Sequence, residues 1–144
     1  MANSQQPPSR IQFADTFDNS YITFGDIYAY IENFHHQGNY ELEAAKYAYS
    51  ITQPSSAPGF ASAQQLNLFA PDFKGKVMLT TGEFDYALCN GNCTAVYAEK
   101  VYEDAYPKAG VIYPYLLPGA GHGINLEKDA KIFYAEITKF LARA

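Results

Sequence analysis

The chain has 144 residues, 48% of them apolar, which suits one core-forming domain and excludes a disordered polypeptide. Ten Lys and Arg stand against 15 Asp and Glu, and the formal charge of −5 repels phosphate backbones, so nucleic acid is not an expected partner. No uninterrupted apolar run approaches the roughly 20 residues of a membrane span, so no membrane span is expected.

Residues 1–10 are polar with Pro7-Pro8, hold no apolar signal-peptide core, and read as a disordered tail. From Tyr21 to Phe34 the positions Ile27, Tyr28, Tyr30, Ile31 and Phe34 recur at helical spacing, with Asp26 early in the run and Gly38 beyond its end. Tyr40 to Ile51, rich in Ala, Glu and Lys and stopped by Pro54, predicts a second helix. Thr52 to Gly59, with Pro54, Ser55, Ser56 and Pro58, reads as loop and as the best internal boundary. After Pro71 the period changes. Lys76 to Thr81 is a short apolar run between Gly75 and Gly82, the pattern of a buried strand, and Asp85 lies just past its end. Thr94 can cap a helix running through Val96, Tyr97, Val101, Tyr102 and Ala105 until Pro107. A strand follows at Val111 to Leu117. Leu126, Ala130, Phe133, Ile137 and Leu141 then predict a terminal helix with one apolar face, Glu127, Lys128, Lys131 and Lys139 lying mostly on the other.

Strand, helix, strand, helix from Lys76 onward is the grammar of parallel βαβ units, and the fold class expected is α/β. Only two strands are legible. A pair that small is marginal in water, so the sheet is expected to continue outside this chain or to pair at its edge with another chain.

Open α/β sheets present working residues at the carboxyl ends of their strands. Asp85 and His122 both follow strands, the latter within Leu117-Pro118-Gly119-Ala120-Gly121-His122-Gly123, where the glycines permit a tight loop. If the strands are parallel neighbours, Asp85 can accept from one ring nitrogen of His122 and leave the other to take a proton. The plainer alternative is a loop histidine that caps the following helix. Glu83 is the second-ranked acid, pointing to the opposite side of an extended segment. Cys89 and Cys93 bracket Asn90-Gly91-Asn92, a turn able to bring the thiols to bonding distance; a pair of free, partly buried thiols is the alternative. His35-His36, near Glu32 and Glu41, reads as a solvated helix end, because adjacent residues on a helix cannot chelate from one face. The glycine-rich loop lacks the ending of a phosphate loop and the spacing of a dinucleotide fingerprint. Neither a cofactor nor a metal is expected. The 13 Tyr and 10 Phe, with no Trp, suit a Tyr-rich core and surface.

Lys76 to Asp85 resembles the acid-bearing strand and turn of the α/β-hydrolase superfamily, and Leu117 to Gly123 with the helix after it resembles that superfamily's histidine loop and closing helix. The Asp-then-His order agrees with its chain order of nucleophile, acid, histidine. The CNGNC stretch after the acid is similar to secreted fungal hydrolases of the superfamily, and with the Cys89/Cys93 pair points to an extracellular location. The resemblance implies that residues 71–144 are the C-terminal portion of a hydrolase core, with residues 11–70 as a helical cap or lid. It implies Asp85 as triad acid, His122 as general base, and a small ester-like molecule as substrate of a full-length relative. The nucleophile elbow is missing: none of Ser4, Ser9, Ser20, Ser50, Ser55, Ser56 or Ser62 has a glycine two residues to either side, and Cys89 and Cys93 have one each. The expectation is therefore a hydrolase-like chain that is inactive alone; the competing expectation is a non-catalytic binding or assembly module, or an inert truncated fragment.

Overall fold

The computed structural model describes residues 19–63, 65–100 and 102–143; the tail expected over 1–10 lies outside them. The described residues up to Ile31 and Leu42–Leu66 form one compact unit, while Glu32–Glu41 and the residues from Asn67 onward form the other.

In the first unit, Tyr21–Ile22 (β1) pairs antiparallel with Ser55–Ser56 (β2), Tyr21 facing Ser56. Helix α1, Ile27–Phe34, of which Ile27–Ile31 belong to this unit, begins where the Asp26 carboxylate accepts the Ala29 amide at 2.9 Å, so the helical run starts later than Tyr21. Helix α2 covers Leu42–Ile51 and buries Ala45, Ala48 and Tyr49 at three- and four-residue spacing. Tyr30 lies between Phe24, edge-on at 5.5 Å, and Tyr49 at 5.7 Å. Burial pushes the phenols of Tyr30 and Tyr49 above their ordinary pKa, and the Asp26 charge adds to the effect at Tyr49, so both stay protonated. The stretch 52–59 is not all loop. Pro58 acts as a starter: it sits in the first turn of α3, Ala57–Ala63, where its missing N–H costs nothing, and Ser56 Oγ accepts the Gly59 amide.

In the second unit, β3 (Lys76–Gly82) and β4 (Val111–Leu117) pair in parallel, from Lys76 beside Val111 to Gly82 beside Leu117. The fold is mixed α/β, and this two-stranded parallel sheet is its organising element. Expected as buried, β3 is exposed at Lys76 and fully covered only at Thr81 and Gly82. The reason is that each strand has one hydrogen-bonded neighbour among the described residues, and cover comes from the loops beyond their carboxyl ends. Pro114, opposite Leu79, fits a strand bonded on one side.

The crossover between the strands holds three short helices: α4 at Tyr86–Cys89, α5 at Cys93–Ala98 and α6 at Tyr102–Ala105. The single helix expected from Thr94 is thus two, and its cap is Asn92, whose side chain accepts the Ala95 amide at 3.2 Å. After Glu99, Lys100 takes the left-handed φ of 54° and separates α5 from α6. Beyond β4, Ile124–Leu126 form a 3₁₀ turn and Ala130–Ala142 form α7. Leu117, Ala120, Ile124 and Phe133 make the core of this unit, with Tyr115 and Ile137 packed on it. The predicted apolar face holds at Phe133 and Ile137 but not at Leu141, which is 63% exposed. Glu127, expected on the polar face, is buried, because it precedes α7 and follows the path of the 3₁₀ turn instead. Among the described residues no helix is long and apolar enough to cross a membrane.

Candidate active site

The carboxyl ends of β3 and β4 are stitched together by backbone. The Glu83 amide donates to Leu117 O at 3.0 Å and the Phe84 amide to Ala120 O at 2.9 Å, which draws the turn after β3 onto the loop after β4. Gly82 permits that approach: a Cβ there would stand 2.1 Å from Gly121 O and 2.4 Å from Ala120 O.

Asp85 follows this turn in extended conformation and caps α4, its Oδ1 accepting the Leu88 amide at 2.8 Å. Its Oδ2 accepts from the Thr81 hydroxyl and lies 2.8 Å from Nδ1 of His122. Burying a carboxylate costs several kcal/mol unless donors surround it, and the fully buried Asp85 has three. A carboxylate accepts, so Nδ1 of His122 carries the hydrogen of this bond, and in the neutral ring Nε2 then holds the lone pair. The two side chains differ sharply in cover: the Asp85 side chain is 0% exposed and that of His122 is 35% exposed. The carboxylate is sealed, and the imidazole reaches the surface.

The disulfide loop lies against the acid from the other side. Cys89 and Cys93 are bonded, with Cα atoms 5.0 Å apart, and the amides of Cys89 and Gly91 both donate to Asp85 O at 3.1 Å. Tyr97 on α5 feels the same region: burial and then the Asp85 charge raise its phenol pKa, so it remains neutral.

The His122 ring borders an open depression of about 380 Å³ lined also by Thr80, Leu88, Ile124, Leu126 and Phe133. Phe34 sets the other side of the ring, centroids 5.5 Å apart. Asp85 and His122, singled out from sequence, are thus brought together. Glu83 is not the partner: its carboxylate accepts the Gly119 amide at 2.9 Å and braces the turn before the histidine.

His35 and His36 depart from the expected solvated helix end. His35 is buried, tilted against Tyr40 with ring centroids 4.9 Å apart, and its Nδ1 is 3.4 Å from Glu127 Oε1. His36 stacks on Phe84 at 4.0 Å, and its Nδ1 donates to Gly119 O at 3.1 Å. The chain after α1 turns back along the histidine loop, so both imidazoles find partners far along the sequence. Among the described residues no three His, Cys, Asp or Glu side chains are grouped to hold a metal ion.

Sequence reasoning missed Thr81, Phe34 and Glu127. Thr81 carried a signal, standing four residues before the acid at the last covered turn of β3; Phe34 and Glu127 carried none, since their roles come from distant loop contacts. Compared with protein-family models, with curated proteins and with solved structures, the chain matches none.

Proposed function

We propose that this chain carries the acid and base of an acyl-hydrolase relay of the α/β-hydrolase type, with an ester or similar small acyl compound as substrate. The observation that carries the reading is the 2.8 Å pairing of His122 Nδ1 with a fully buried Asp85 carboxylate at the carboxyl ends of two parallel strands. His122 Nε2 takes a proton from the attacking hydroxyl or water, and Asp85 holds the tautomer and stabilises the imidazolium that forms. The chain has no glycine-flanked nucleophile elbow, so the nucleophile of a full triad comes from outside it, and the chain alone activates water at best. General-base assistance of that kind is worth about 10²–10⁴ in rate.

The test is hydrolysis of p-nitrophenyl acetate by the purified chain. We expect slow turnover above buffer that disappears in His122→Ala. Equal rates for the two proteins would overturn the relay.

A second reading, an assembly module, is favoured by the strand edges that have no partner among the described residues and by exposed apolar side chains such as Leu68 at 72% and Phe69 at 60%. The same assay separates the two, because a module gives no His122-dependent turnover.

A further inference from the structure

Behind the His122–Asp85 pair lies a second buried histidine–carboxylate pair that the relay does not use. The side chains of His35 and Glu127 are both 0% exposed, and Glu127 Oε1 lies 3.4 Å from His35 Nδ1. The same oxygen accepts the amide of Gly121 at 3.4 Å, the residue immediately before His122. On the other flank, the Gly123 amide donates to Phe34 O, the residue immediately before His35. A Cβ at Gly121 would stand 2.7 Å from Phe34 O and 2.8 Å from both the His35 carbonyl carbon and the His36 amide nitrogen, so the histidine loop lies directly on this segment. The Glu127 backbone in turn forms an antiparallel bridge with Tyr40. His122 is therefore gripped from both neighbouring residues by groups that depend on one buried carboxylate and one returning strand of chain.

From this geometry we infer that Glu127 is a positioning residue for His122, holding the Gly121 amide so that the imidazole of His122 stays aligned on Asp85. The inference rests on the relay reading for its functional meaning. A carboxylate is an expensive choice for a buried structural brace, and its second oxygen, Oε2, has no hydrogen-bond partner among the described residues. An apolar residue would fill the site at less cost but would offer the Gly121 amide no acceptor. Glu127 does not touch the reacting nitrogen; it acts through the backbone on the rotation and tautomer of the ring.

The experiment compares wild type, Glu127→Gln and Glu127→Ala by nitrogen-15 NMR of the His122 ring and by amide hydrogen exchange at Gly121, with circular dichroism to confirm the fold. Glutamine retains an acceptor and should keep the Nδ1–H tautomer of His122. Alanine should lose it, giving mixed tautomers, and the Gly121 amide should exchange on the order of tenfold faster, the loss of one net hydrogen bond. A folded Glu127→Ala protein whose His122 ring spectrum matches wild type overturns the inference. Should Glu127→Ala not fold, Glu127→Met, which fills the site but offers the Gly121 amide no acceptor, decides: faster Gly121 exchange with mixed His122 tautomers supports the inference, and wild-type behaviour in both overturns it. Ester turnover is not part of this readout, so failure of the relay as a catalyst and failure of Glu127 as its positioner give different results.

Discussion

A Cβ at Gly82 would collide with two backbone carbonyls of the histidine loop, neither of which can swing aside as a side chain can. Gly82→Ala should therefore force the end of β3 and the loop around His122 apart, at a cost of about 1–3 kcal/mol, the range for overpacking a fitted interior. Gly25, with nothing within 4 Å of its Cβ position, is the control, and alanine there should stay within about 0.5 kcal/mol of wild type. Urea unfolding of the two variants measures the contrast; equal stabilities would contradict the packing described for the strand ends. At this scale the sequence was legible where a residue type and a strand end coincide. Asp85 and His122 stood out because each follows an apolar run and sits in a turn. Glu127 was opaque for a physical reason: extending the period of α7 backward put it on the polar face, whereas the 3₁₀ turn before α7 has a different period and rotates it inward. His35 and His36 were opaque because their partners, Glu127 and Gly119, are about ninety and eighty residues away in the chain.

Among the elements, the loop from α4 to α5 bears most directly on the acid. The amides of Cys89 and Gly91 converge on Asp85 O, the Cys93 amide donates to Glu83 O at 3.0 Å, and the Cys89–Cys93 bond closes the loop around them. A cross-link over so few residues removes about 2 kcal/mol of unfolded-chain entropy. The Cys89→Ser, Cys93→Ser double variant should be less stable by about 2 kcal/mol, with its urea midpoint lowered accordingly, and the Leu88 amide, held by Asp85 Oδ1, should exchange faster. An unchanged midpoint would show that the hydrogen bonds alone hold the loop. The turn Asn90-Gly91-Asn92 made closure of this loop foreseeable from sequence, whereas the capping of α5 was not. Asn92 and Thr94 both suit an N-cap by residue type, and Asn92 takes the role, its side chain accepting the Ala95 amide. Strands β3 and β4 were legible almost to the residue, β4 without error, since short apolar runs leave little latitude, whereas β1 and β2, two residues each, carry no periodic run to read.

Across the whole molecule, burial is uneven. The described core of the second unit is a handful of side chains at the carboxyl end of the sheet, while β3 is half-covered over most of its length and β4 is exposed at Val111, Tyr113 and Pro114. The α/β character and the parallel pairing were readable from the alternation of strand and helix, but the completeness of the sheet was not, because strand count depends on what lies beside an edge rather than on the strand itself. What unites the account is that the best-buried part of the sheet is also where the acid and the histidine meet, with Thr81, the α4 amides and the histidine loop all directed at Asp85. Low-field proton NMR of the His122 ring tests that claim most directly. Wild type should show an exchange-protected Nδ1–H resonance shifted far downfield by the carboxylate, absent in His122→Gln and Asp85→Asn. A wild-type ring that carries its hydrogen on Nε2, or shows no protected Nδ1–H, would contradict it.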